Sequence, residues 1–109
     1  MKYRLVIQPE AQSDLDEAYR RYEEQRSGLG RAFMDCVEAV FDRICERPLL
    51  HAVVYRTVRQ TLVRRFPYVV CYVLEGDRVD VVAVFHGHRD PAAWKSRVDS
   101  PRTETSDDG

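Results

Sequence analysis

The sequence predicts an α+β fold: an N-terminal strand, an antiparallel two-helix hairpin packed on a twisted antiparallel β-sheet of three or four strands, and a short C-terminal helix. Three observations predict it. Apolar residues recur at helical spacing over two stretches of the first half; from about Val53 the spacing becomes strand-like and the β-branched and aromatic content rises; and Gly or Pro stands at the joints.

Tyr3, Leu5 and Ile7 alternate with Arg4, Val6 and Gln8, the period of a short strand with one apolar face. Pro9 suits the first turn of a helix, where its missing N–H would have no partner anyway, and the acids after it favour a helix N-terminus. Ala11, Leu15, Ala18, Tyr19 and Tyr22 then mark an amphipathic helix from about Pro9 to about Gln25, interrupted by Ser27-Gly28. A second helix, from about Leu29 to about Glu46, has Leu29, Phe33, Cys36, Val37, Val40 and Ile44 on one stripe and Arg31, Asp35, Glu38 and Asp42 opposite, and Pro48 stops it. So short a connection folds the two helices into an antiparallel pair.

Val54 to Val63, Tyr68 to Leu74 and Val79 to Phe85 read as three strands, antiparallel neighbours. Glu75-Gly76-Asp77-Arg78 reads as a two-residue hairpin of type II′, with glycine first and Glu75 placed to pair with Arg78. Pro67 has no N–H for a ladder, so it marks a strand start, an edge or a bulge. Asp90 is suited to cap, and Pro91 to begin, the terminal helix. Residues 1–98 are expected to form one domain with one modest core, and 99–109, almost without apolar residues, a disordered acidic tail.

With 44% hydrophobic and 32% charged residues the chain has the composition of a globular protein. It has no apolar run long enough to span a bilayer, and the segment from Met1 to Glu10 is too short in apolar residues for a secretory signal, so no membrane is expected and the cytoplasm is the expected compartment. Cys36, Cys45 and Cys71 fit neither a disulfide framework nor paired zinc ligands and read as small buried hydrophobes; no metal or other cofactor is expected.

The net charge of −1 hides an uneven distribution. Six acids and two bases lie between Glu10 and Glu24, whereas the stretch from Arg47 to Phe66 holds Arg47, Arg56, Arg59, Arg64, Arg65 and His51 and no acid. Among the 17 Lys and Arg residues only Lys2 and Lys95 are Lys, and Arg makes the bidentate contacts to carboxylate and phosphate that Lys does not. The Arg-rich strands are expected to leave a concave basic surface for an acidic partner, protein or nucleic acid.

The order of strand, helical hairpin and antiparallel meander, with Arg-Arg-Phe-Pro-Tyr at 64–68, Cys-Tyr at 71–72, His-Gly-His-Arg-Asp-Pro at 86–91 and Trp94, resembles the RelE/ParE toxin superfamily, notably its plasmid-stabilisation branch, from about Tyr3 to Lys95. The resemblance implies the toxin of a type II toxin–antitoxin system. Its partner would be a cognate antitoxin whose C-terminal segment wraps it, and its target either DNA gyrase or ribosome-bound mRNA.

The surface for antitoxin and target would draw on Arg56, Arg59, Arg64, Arg65, Phe66, Tyr68, Tyr72, His86, His88, Arg89 and Trp94. RNA cleavage needs a base, an acid and cations around one phosphate; as a nuclease the chain would use Arg64, Arg65, His86, His88 and Arg89. No Lys lies in the sheet region, and the Phe66-Pro67-Tyr68 segment and the Asp90-to-Trp94 ending lean to the gyrase-directed, ParE-like reading. A toxin-fold module with neither activity is the third.

Blander readings stand beside these. His86 and His88 share a face if the strand continues and would serve acid–base chemistry, a metal, or structure alone. Arg64 and Arg65 form either a solvated face or a binding one beside Phe66 and Tyr68. Arg89 and Asp90 suit a local ion pair, and Trp94 either packs the last turn or touches the target.

Overall fold

The computed structural model describes residues 3–88 and 91–99. In chain order the elements are β1 (Arg4–Ile7), α1 (Pro9–Gln25), α2 (Leu29–Glu46), β2 (Val53–Tyr55), β3 (Val58–Leu62), β4 (Tyr68–Glu75), β5 (Arg78–His86) and α3 (Pro91–Asp99). Both long helices lie where the apolar spacing places them, and Pro9 opens α1.

The link between α1 and α2 is held by one side chain. Glu23 Oε2 accepts from the Gly28 N–H at 2.9 Å and Oε1 from the Gly30 N–H at 3.0 Å, partnering amides that the start of a helix leaves open. Gly28 sits at φ 89°, where side chains are disfavoured. Gly30 is needed for another reason: a Cβ there would lie 2.8 Å from the Tyr19 carbonyl oxygen and 2.9 Å from Glu23 Oε1.

The sheet has five strands in the order β1-β5-β4-β3-β2, and it is mixed. β1 pairs parallel with β5, from Arg4 opposite Arg78 to Ile7 opposite Val81, while the other pairings are antiparallel. The wholly antiparallel sheet expected from the sequence is thus corrected. The chain leaves β1 through the helical hairpin and returns beside it only with β5, and nothing in the residues of β1 encodes its neighbour's direction. The single strand expected from Val54 to Val63 is also two: Tyr55 pairs with Val58 around Arg56, which takes φ 52°. The type II′ turn is found, with Gly76 at φ 60° and Glu75 opposite Arg78. Arg78 instead forks onto buried Asp80, two residues along on the same face, at 2.7 and 3.0 Å.

Two clusters are buried, one on each sheet face, rather than the single core expected. Ala11, Leu15, Phe33, Val37, Val40 and Ile44 of the helices meet Val70, Tyr72, Val79, Val81 and Val84 on one face. On the other, Val58, Val69, Cys71, Val82 and Phe85 meet Trp94 of α3. β4 and β5 can serve both because they are apolar at successive positions, as strands covered on both faces must be. This overturns the open basic face: α3 covers it. A bulge at Val82, between the pairs Tyr72–Val81 and Cys71–Ala83, resets the phase of β5, so Val84 rejoins the helix side. Among the described residues no helix is long and apolar enough to cross a membrane.

Gly30→Ala should lower the unfolding free energy by about 1–3 kcal/mol, because the hairpin must splay or Glu23 must release the amides it holds. Urea titration followed by circular dichroism measures it.

Candidate functional site

β1 ends at Ile7, so the last residues of β5 have no strand on that side. Two charged side chains close the gap. Asp14 of α1 accepts from the Val84 N–H at 3.0 Å, and Arg97 of α3 donates to the Val82 carbonyl at 3.1 Å. The two also form a bidentate pair with each other at 2.8 and 3.0 Å.

Above this clamp lies a cavity of about 300 Å³ lined by Asp14, Glu17, Arg21, Tyr68, His86 and His88 with Val84 and Phe85. Glu17 is paired to Arg21 at 3.0 Å, one turn along α1. The two histidine rings lie 5.3 Å apart, and the His88 backbone N–H donates to His86 Nδ1 at 3.1 Å. That bond leaves Nε2 as the proton-bearing nitrogen of a neutral His86. Tyr68 presents its ring edge-on to His86 at 5.6 Å.

The other expected site residues divide. Arg64 and Arg65 are exposed in the turn before β4, with the Arg65 guanidinium 5.8 Å from the Phe66 ring centre and Arg65 at φ 72°. This turn and the end of β5 are joined by a 2.7 Å bond from the Gly87 N–H to the Pro67 carbonyl, so these arginines share one end of the sheet with His86 and His88. Pro67 thereby marks a strand start.

Arg56 and Arg59 flank the β2–β3 turn instead, at the opposite end of β3 from Arg64. Arg56 points to α3 and binds Asp99 at 2.8 Å, while Tyr55 donates to both oxygens of that carboxylate. Asp99, expected to begin the tail, is therefore the last residue of α3 and bonded to the sheet. Arg59 turns to the helix side and donates to the His51 carbonyl at 2.7 Å.

Several residues expected at the surface are interior. Tyr72 is 0% exposed, its hydroxyl donates to the Pro48 carbonyl, and burial pushes its pKa up to about 12. Phe66 and Tyr68 pack against Tyr22 and Phe33, with ring centres 5.0 to 5.9 Å apart. Trp94 is 5% exposed and stacks on Phe85. Aromatic side chains in strands serve packing as readily as binding, and the sequence carries no mark separating the two uses. Cys71 is also interior, its thiol pushed up to about 11 by burial, as expected of a cysteine used for packing. Arg89 and Asp90, with the ion pair and cap expected of them, lie outside the described residues. Among the described residues no three His, Cys, Asp or Glu side chains gather to hold a metal.

Sequence reasoning missed Asp14, Glu17 and Arg21, whose spacing on α1 reads as an ordinary solvated face. It also missed Arg97, which is 83 residues from Asp14.

Comparison with known proteins fixes the family. A profile described as the ParE toxin of the type II toxin-antitoxin system parDE matches residues 5–91. The chain belongs to the ParE toxin family. It is 29% identical over 99 residues to Toxin ParE2 from two strains of Mycobacterium tuberculosis, covering 90% of this chain and 94% of that toxin. Solved structures share the fold. A chain of the chromosomal ParDE system of P. aeruginosa aligns at TM-score 0.59 and 14% identity over 78% of this chain and 96% of its own. One from the RelBE2 toxin–antitoxin complex of M. tuberculosis aligns at 0.57 and 20% over 79% and 99%. A mutant E. coli RelE toxin in the free state aligns at 0.63 and 17% over 89% and 94%. As a ParE toxin the chain is one half of a type II pair, and its partner is an antitoxin.

His51, in the loop after α2 and away from the His86 cavity, gives the fold a pH dependence. Burial and then Arg43 and Arg59 hold its pKa below the ordinary histidine value of 6.5, so the folded state resists its protonation. The native state carries no penalty above the unfolded value and loses stability as pH falls below it, until the lowered folded value is passed. His51→Gln should therefore lose less thermal stability than the parent between about pH 7.5 and pH 5.5, as read by paired melting curves.

Proposed function

We propose that this ParE-family toxin poisons DNA gyrase by binding it, blocks the supercoiling cycle, and is neutralised when its cognate antitoxin covers it. The observation that carries the reading is the mixed charge of the cavity at the end of β5. Cleavage of RNA needs an acid, a base and cations around one phosphate. Here Asp14 and Glu17 line the same cavity as His86 and His88 and hold Arg97 and Arg21 in ion pairs, so those arginines are not free to gather around a phosphate, while Tyr72 is buried and Arg56 and Arg59 lie at the far end of β3. The exposed Arg64 and Arg65 suit a protein surface, where arginines are frequent anchors.

A second reading, a ribosome-dependent endoribonuclease, is favoured by the adjacent His86 and His88 rings, which offer a paired acid and base. One experiment separates the two. Purified protein should inhibit gyrase supercoiling in proportion to its concentration, and leave mRNA intact in a translating extract. Replacing Arg64→Glu together with Arg65→Glu should raise the concentration for half-inhibition about tenfold or more. Undiminished supercoiling at excess protein, with mRNA cleaved and His86→Ala or His88→Ala abolishing the cleavage, would establish the nuclease instead.

A further inference from the structure

We propose that the loop at 48–52 and the edge strand β2 form the docking surface for an extended segment of the antitoxin in which apolar and acidic residues alternate. The proposal rests on the toxin–antitoxin reading and goes beyond it by naming the surface and the chemistry of what binds there.

Four large apolar side chains are exposed within six residues: Leu49 at 63%, Leu50 at 68%, Val53 at 49% and Val54 at 44%. So dense an exposed apolar group marks a surface that another chain covers. Beside it opens a shallow cavity of about 420 Å³ lined by Tyr3, Glu46, Arg47, Pro48, Leu49 and Leu50. Among the described residues β2 ends the sheet with β3 as its one neighbour, and its outer edge is one that an added strand would pair with.

The charge around the patch selects the occupant. From Arg47 to Phe66 the sequence contains no acid, and among the described residues Glu46 is the one carboxylate lining the cavity. Burial first, and then the charges of Arg43 and Arg59, lower the pKa of His51 in this loop, and Arg47 lines the cavity itself. An apolar segment with interspersed carboxylates meets these arginines, and its apolar side chains cover Leu49, Leu50, Val53 and Val54.

A second copy of this chain fits poorly. Pairing two β2 edges would bring two copies of the acid-free stretch from Arg47 to Phe66 to one interface, with no carboxylate of that stretch to offset its arginines. Among the described residues the run richest in acids, Glu10 to Glu24, lies on α1, a helix, which cannot extend a sheet edge.

The test measures binding of the full chain to the antitoxin encoded with it, by calorimetry. Leu50→Asp combined with Val54→Asp should weaken binding on the order of 100-fold, and Arg47→Glu about tenfold, with unchanged melting temperatures because these residues are exposed. Arg31→Glu, on the exposed face at the other end of α2, should bind as the parent does. In the parent complex, amide exchange over residues 49–55 should slow, which reports the surface even if a variant fails to fold. If the parent does not bind this antitoxin, the toxin–antitoxin reading falls. If it binds but the variants bind equally well and residues 49–55 stay unprotected, the docking surface alone is wrong. A parent that dimerises without antitoxin and is split by Leu50→Asp with Val54→Asp would assign the patch to a second copy and overturn the proposal.

Discussion

The bidentate pair of Asp14 and Arg97 is the constraint on which the layered arrangement depends. β5 is longer than β1, so its final residues need donors and acceptors that no strand supplies on that side, and an unpaired buried backbone group is costly. Asp14 reaches over the edge from the helical hairpin and Arg97 from α3 on the opposite face. Each satisfies one backbone group of β5 and both satisfy each other. One interaction thus ties three layers together and fixes the segment that delivers His86 and His88 to the cavity. The Asp14 side chain is 10% exposed and that of Arg97 30%, so the pair is partly shielded from water and screened less than a surface pair.

The arginines then acquire separate duties. Arg97 and Arg56 hold α3 at its end, Arg78 neutralises buried Asp80, and Arg59 braces the loop after α2 through its carbonyls. Arg64 and Arg65 remain exposed beside the histidines, and Arg43 and Arg47 beside the apolar loop. A chain of nearly balanced charge therefore offers two distinct cationic places: one beside the cavity at the end of β5, the other around β2. Two such places suit a toxin that must meet both a target and an antitoxin.

The two long helices and the Gly76 turn were legible in the sequence because each is decided locally, by 3.6-residue periodicity, by Pro and Gly at the ends, and by a positive φ that glycine tolerates. The parallel pairing of β1 was hidden, since it depends on where β5 arrives. The break between β2 and β3 was hidden too, because Arg56 adopts its left-handed conformation without the Gly or Asn that would announce it. Of the expected site, His86, His88, Arg64 and Arg65 do share one end of the sheet, whereas Tyr72, Phe66 and Trp94 belong to the packing. Residue type fixed what these side chains can do, but burial decides what they are available for. The lone Asp80 in an apolar strand, with Arg78 at the same-face position, was the one buried charge whose partner the spacing could have revealed.

The most direct test of this account is a double-mutant cycle on Asp14→Ala and Arg97→Ala, read by urea unfolding and by the emission of Trp94, the chain's one tryptophan. Each single change should cost about 2–4 kcal/mol, the two should couple by more than about 1 kcal/mol, and Trp94 emission should shift to the red as α3 loosens. Single costs below about 0.5 kcal/mol that simply add, with Trp94 still reporting a buried site, would contradict it.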